Sequence, residues 1–118
     1  PKDIAITSAD EIFLNRAIGI IDEHMGNFEF DAHTLQEGMN LSRSQLFRKL
    51  KALTDQPATE FIRVIRLKRS AKLLEQKFGN VAEVTYKVGF NNLSYFAKCF
   101  KKMYGVSPSD YVKQSSKS

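Results

Sequence analysis

A chain of 118 residues is expected to form one compact unit, with enough apolar side chains for a core and little surplus to line a large cavity. Its formal charge of +5 and pI near 9.4 favour a polyanionic partner if the basic residues cluster, and mean only solubility if they are spread evenly. No apolar run approaches the length of a bilayer span, and no signal sequence, Gly-rich phosphate loop, nucleophile elbow or His-Glu metal motif occurs, so enzymatic activity is the least favoured class.

In chain order, Ser8 and Glu11 fit a capping box that starts a helix. Ile12, Phe13, Arg16, Ala17, Ile20, Ile21, His24 and Met25 fall near one face of it, Gly26 is placed to end it in the left-handed conformation, and Phe28 and Phe30 are expected to anchor a connection. Asp31 can cap a short helix over about 32–39 with Leu35 and Met39 inward. Asn40 follows where a tight turn needs positive φ, which Asn tolerates better than any residue except Gly. Leu41 closes the turn and Ser42 caps the next helix, about 43–54. Leu46, Leu50 and Leu53 form its buried stripe, while Arg43, Ser44, Phe47, Arg48 and Lys51 occupy the opposite face. Helix, short turn and basic second helix make a helix-turn-helix layout.

Pro57 suits the first turn of a long helix, about 58–77, which Gly79 is expected to stop; Phe61, Ile62, Ile65, Leu67, Ala71 and Leu74 are its apolar positions. At about 1.5 Å per residue such a rod is close to the roughly 34 Å between successive major-groove faces. Asn80 caps a helix of about 81–87 with Val81, Val84 and Val88 inward, and Gly89 takes the turn position that Asn40 holds earlier. Phe90 closes that turn, which is one residue longer than the first. A helix of about 92–104 buries Phe96, Cys99, Phe100 and Met103 and exposes Asn92, Ser94, Tyr95, Lys98, Lys101 and Lys102. Gly105 ends it, Ser107-Pro108 starts a last short helix on which Tyr111 and Val112 pack back, and residues 114–118 read as a frayed tail.

Residues 42–62 and 92–112 are thus one unit written twice, fifty positions apart. Leu46 lies over Phe96, Leu50 over Phe100, Leu53 over Met103, Phe61 over Tyr111 and Ile62 over Val112. A doubled helical unit with no catalytic motif between its copies suits a reader of a repeating polymer better than a pocket. Charge follows the repeat. Residues 1–41 hold two basic side chains against eight acidic ones, residues 42–72 nine against two, and residues 73–118 seven against three. The acidic start is either a solvated helix face or a surface that docks a partner domain or keeps DNA away.

The stretches SRSQLFRKLKALT, EFIRVIRLKRSAKLL and AEVTYKVGFNNLSYFAKCFKKMYGVSPSDY resemble the DNA-binding domain of the AraC/XylS transcription regulators, a likeness that runs from Phe30 to Lys113. With the opening TSADEIFLNRAIGIIDEHM, they resemble the form of this domain at the C-terminus of response regulators and hybrid two-component sensors. The start at Pro1 without Met likewise suggests a piece of something longer. The resemblance implies an all-α fold of about seven helices: two helix-turn-helix subdomains joined by a long linker helix, each second helix entering an adjacent major-groove segment. The segments are 1–31 (first helix and connection), 32–56 (first helix-turn-helix), 57–79 (linker), 80–113 (second helix-turn-helix with final helix) and 114–118 (tail).

By position, the resemblance assigns base-facing roles to Arg43, Ser44, Phe47 and Arg48 in the first copy, and to Asn92, Ser94, Ala97 and Lys98 in the second. Arg48 can donate two bonds to guanine, whereas the point charge of Lys98 suits phosphate. Phe47 can meet a thymine methyl or sugar, or pack against the first short helix. Ser42 and Asn92 are N-caps whose helix starts can also point amides at phosphate. Tyr95 can bond a phosphate or pack across its turn. Gln45, Lys51, Asn91, Lys101 and Lys102 complete the DNA-facing set, while Arg63, Arg66, Arg69 and Lys72 divide between scaffold bonds and backbone approach. Asn40 and Asp55 stand where the family commonly has glycine, and the Asp55 carboxylate is expected to weaken one backbone contact. The expected partners are double-stranded DNA, a sensor or receiver domain of the same longer chain, and RNA polymerase, in the cytoplasm. No cofactor is expected, and His24, His33 and Cys99 are too scattered for a metal site, with Cys99 reading as a buried thiol of a reducing compartment. The competing class is a helical protein-interaction module with an incidental basic face; an RNA reader is disfavoured because A-form RNA closes its major groove to a helix.

Overall fold

Seven helices and no strand make up residues 7–116, the part of the chain that the computed structural model describes. Helix α1 (Ser8–Glu23) begins one residue earlier than the Ser8/Glu11 pattern predicts. Thr7 is its cap: the hydroxyl accepts the Asp10 amide at 3.1 Å and the Asp10 carboxylate accepts the Thr7 amide at 3.2 Å. Both registers satisfy the same rule, and the one chosen puts Thr7 in the extended conformation that a cap requires. These bonds hold the Asp10 carboxyl below its usual range.

The far end of α1 also differs. The helix closes at His24, whose amide reaches back to the Ile21 carbonyl at 3.1 Å and whose ring stacks on Phe30 at 5.0 Å. Gly26 does not adopt positive φ. The chain leaves the helix there because Met25 packs against the apolar cluster of the second half of the molecule. Only Ala17 and Ile21 of the predicted α1 stripe are fully buried; Ile12 is 68% exposed, and Arg16 and His24 are also exposed. Phe30 is buried as expected, but Phe28, expected to anchor the connection as well, is 56% exposed.

Contacts divide the chain into two compact units where length alone predicts one. The first comprises α1 with Phe30–Arg63, the second Met25–Glu29 with Val64 onward, so the boundary falls inside one helix. In the first unit, α2 (Ala32–Met39) and α3 (Arg43–Thr54) supply Leu35, Met39, Leu46 and Leu50 to the interior, joined by Ala17, Ile21 and Phe30. The first turns of α4 (Ala58–Glu75) add Ala58, Phe61 and Ile62.

The second unit is built on the remainder of α4, with α5 (Val81–Lys87), α6 (Leu93–Tyr104) and α7 (Pro108–Ser116). Leu67, Ala71, Leu74, Val84, Val88, Phe90, Phe96 and Phe100 form its core, with Met25, Cys99, Met103, Tyr111 and Val112 packed around it. Cys99 is half-buried and free. Helix α4 ends at Glu75, two residues before the expected end, and Gly79 is not what stops it. Lys77 takes φ 55° and closes the helix, with its own amide bonded to the Leu74 carbonyl and that of Phe78 to Leu73. Gly79 lies instead beside the Asn80 capping box: a Cβ there would come 2.8 Å from the Glu83 carboxylate that completes it, and that side-chain end would have to shift. Residues 114–116 continue α7, so the expected frayed tail is helical over that stretch, and residues 117–118 lie outside the described part.

Arg66 is the polar centre of the second unit. It is buried, and its guanidinium donates to the Gly89 carbonyl and, at 2.9 Å, to the Asn27 carbonyl. Burial pushes its pKa down from the ordinary arginine value. Gly89 has φ 88°, and a Cβ on it would come within 2.4 Å of both the Met25 carbonyl and the Arg66 guanidinium. Gly105 has a similar φ of 81°, yet a Cβ there meets nothing.

Two tests follow from this packing. Gly105→Ala is expected to cost about 1 kcal/mol, the strain of a left-handed alanine alone, whereas Gly89→Ala adds a backbone clash and is expected to cost about 3 kcal/mol or more. Equal costs in urea unfolding would contradict the close approach. The Tyr111 hydroxyl donates to the Glu75 carboxylate, and that bond, with burial second, raises its pKa to about 12. The folded state therefore favours the neutral phenol, so the stabilisation is complete below about pH 10 and is lost as pH rises toward 12. Tyr111→Phe should flatten that alkaline decline in a stability-against-pH series.

Candidate nucleic-acid interface

Each half of the molecule holds one helix by the same local device. In the first unit the α2 helix ends in Asn40, with φ 57° and ψ 43°; the Asn40 amide bonds to the Glu37 carbonyl and that of Leu41 to Gln36. In the second unit Gly89 bonds to Tyr86 and Phe90 to Thr85 in the same pattern. Leu41 is half-buried and Phe90 buried, and the chain then reaches the cap of the next helix after one further residue in the first unit and two in the second. The predicted extra residue in the second turn is present.

The caps fix where α3 and α6 start. The Ser42 hydroxyl accepts the Gln45 amide at 3.1 Å while the Gln45 side-chain carbonyl accepts the Ser42 amide at 2.8 Å. That box commits the oxygen of Gln45 to the helix start and leaves its NH2 as the group able to donate outward. On α6 the Asn92 side chain accepts the Tyr95 amide at 2.8 Å. Both caps thus serve the helix, and both helix starts still lie at the surface, with Ser42, Arg43, Asn91 and Asn92 exposed.

With Leu46 and Leu50 buried on one side, α3 exposes Ser44, Gln45, Phe47, Arg48 and Lys51 along with Arg43. Lys49 is exposed too, but its ammonium lies over the Phe13 ring at 5.2 Å, on the α1 side. In α6, Phe96 and Phe100 are fully buried, Ser94, Tyr95, Lys98, Lys101 and Lys102 are exposed, and Ala97 is half-buried between the two faces. Tyr95 packs across its turn against Phe90, ring centroids 6.0 Å apart, and remains half exposed.

Phe47 is 50% exposed, and it walls a groove of about 500 Å³ with Asp31, His33, Gln36, Arg43 and Thr59. Sequence reasoning does not find His33, Gln36 or Thr59, because they come from α2 and the start of α4 and share no periodicity with α3. On α4, Arg66 is removed from any outward role by its carbonyl bonds, and Arg63 pairs with Glu60. Asp55 occupies the left-handed position after α3, with φ 59°, and its carboxylate lies 3.5 Å from the Lys51 ammonium. Among the described residues no three His, Cys, Asp or Glu side chains gather as a metal site would require, and no helix is long and apolar enough to cross a membrane.

The sequence profile described as "Helix-turn-helix domain" matches residues 35–114, which takes in both turns and both exposed helices. The chain belongs to the AraC-type helix-turn-helix family. It is a DNA-binding, transcription-regulating domain of all-helical fold. It is 42% identical over 111 residues to "Histidine kinase P4" of Formosa agariphila, covering 94% of this chain and 8% of the kinase. The AraC-type domain thus spans a small part of that relative. The C-terminal domain of AraT, a response regulator from Geobacillus stearothermophilus, superposes with a TM-score of 0.77 at 25% identity, over 94% of this chain and 88% of that one. The DNA-binding domain of AdpA, a global transcriptional factor solved in complex with a target DNA, superposes with a TM-score of 0.75 at 24% identity, over 92% and 93% of the two chains.

Proposed function

We propose that this AraC-type domain is the output module of a longer two-component regulator, and that α3 and α6 each enter a major groove of its operator. The observation that carries the reading is the repeated face itself. Each helix follows a left-handed turn, is capped at the surface, buries one stripe and turns a polar, basic stripe outward. A B-DNA major groove admits such a helix and presents donors and acceptors that its side chains can match.

The two copies divide the work unequally. Arg43, Ser44, Phe47 and Arg48 face bases in the first, with Arg48 bidentate on a guanine and Phe47 against a thymine methyl. Asn92, Ser94, Ala97 and Lys98 face the groove in the second. Ser42, Gln45, Asn91, Tyr95, Lys101 and Lys102 meet phosphates or sugars, which fix register and supply affinity without sequence information, and Lys51 stands at the same backbone-facing edge. The first copy carries Arg43 and Arg48 where the second carries Leu93 and Lys98, so the first contributes more base discrimination and the second more backbone affinity.

The parent chain supplies the signal: a sensor or receiver domain of the same polypeptide is the intramolecular partner, RNA polymerase the downstream one, and the cytoplasm the compartment. The relatives named above, a histidine kinase and a response regulator, support that context.

Binding sites selected from a random duplex library provide the test material. Arg48→Ala is expected to cost about 1–3 kcal/mol on the selected site and far less on random duplex, while Lys98→Ala weakens both alike. An equal loss on both duplexes for Arg48→Ala would remove its base-reading role.

A further inference from the structure

The internal repeat supplies its own control for one residue. Asp55 stands fifty positions before Gly105, and the two do the same backbone work: φ is 59° and 81°, and the amide bonds back to the carbonyl of Lys51 at 2.9 Å and of Lys101 at 2.7 Å. The side chains differ. Gly105 offers Lys101 nothing, whereas the Asp55 carboxylate lies 3.5 Å from the Lys51 ammonium, one turn up the exposed face of α3.

Stability does not account for an aspartate here. A left-handed conformation is strained for a residue with a Cβ, and glycine serves it at no steric cost. A negative charge at a helix C-terminus opposes the helix dipole. The pair with Lys51 is exposed on both sides, 51% and 93%, and exposed pairs of this kind contribute little. What the carboxylate does change is the charge that α3 presents: it neutralises the last cation of the outward stripe Arg43, Arg48, Lys51 and places an anion beside it.

We propose that Asp55 is an affinity-setting residue that restrains the first reading helix by holding Lys51 in an ion pair and repelling the phosphate that Lys51 would otherwise neutralise. The proposal rests on the DNA-binding reading of α3. Under it, the first unit gives up one backbone contact, and with it sequence-independent affinity, while its base-facing residues are untouched. A larger fraction of its binding free energy then depends on sequence, because phosphate contacts carry no sequence information.

The test uses the whole domain and a random-sequence duplex, titrated between 50 and 200 mM salt. Asp55→Asn keeps a side chain that tolerates positive φ and removes only the charge. It is expected to bind about threefold to tenfold tighter at the lower salt, with a slope of log affinity against log salt steeper by about 0.9, the value for one added phosphate contact. In a Lys51→Ala background the same change should gain less and leave the salt slope unsteepened, because no cation is released to the phosphate, and Gly105→Asp should weaken the second unit's contribution. Unchanged affinity and slope in Asp55→Asn, or an equal gain and slope change in the Lys51→Ala background, would overturn the restraint while leaving the DNA reading intact. Failure of the unsubstituted domain to bind any duplex would sink the DNA reading itself, and the restraint with it.

Discussion

Everything that faces outward on α3 and α6 depends on one backbone constraint: a single residue in the left-handed conformation between two helices. Asn40 and Gly89 each end a helix, close two orphan carbonyls and redirect the chain within one or two residues. A longer or looser connection would let the second helix rotate about its axis, and about 100° of rotation per residue of register is enough to trade the buried stripe for the basic one. The apolar residue after the turn, Leu41 or Phe90, and the cap after it then fix that rotation. In the second unit the constraint is tightened by Arg66, whose guanidinium holds the turn carbonyl from inside.

Arg66 also shows how the same side-chain type serves opposite ends. On α3 the arginines keep their charge in solvent, where a polyanion can reach it; on α4 one arginine spends its donors on backbone carbonyls in a packed interior. Counting basic residues along the sequence treats the two alike. The distinction lies in burial, and it concentrates the outward-facing cations on the reading helices more than the linear count suggests. The acidic side chains gather instead on and just after α1, where Asp10 and Asp31 do capping work and the remainder face solvent.

What the sequence reveals and what it hides separate along the same line. The caps at Asp31, Ser42, Asn80 and Asn92, the left-handed Asn40, Gly89 and Gly105, and the buried stripes Leu46–Leu50 and Phe96–Phe100 are legible because each follows from bonds or spacings within a few residues. The fifty-residue repeat strengthens them, since each feature is met twice. The misreadings involve distant contacts or a choice between equivalent local registers. Gly26 looks like a helix stop, but Met25 is claimed by a cluster drawn from residues between Leu67 and Phe100. Gly79 looks like another, but Lys77 adopts positive φ and the glycine lies beside Glu83. Thr7 and Ser8 satisfy one rule equally, and Ile12 fits a stripe whose neighbours do not reach it. At the candidate interface, the positions of the exposed side chains on α3 and α6 agree with the pattern, while the groove beside Phe47 is assembled by α2 and α4 and leaves no trace in the α3 sequence.

The central claim is that the outward stripes bind duplex DNA chiefly by displacing its counterions, and affinity for a random duplex between 50 and 200 mM salt measures that directly. If six or more phosphates are neutralised, affinity should fall by roughly a thousandfold or more across that range. Binding that is absent, or indifferent to salt, would contradict the account and leave the doubled basic face without a polyanion to read.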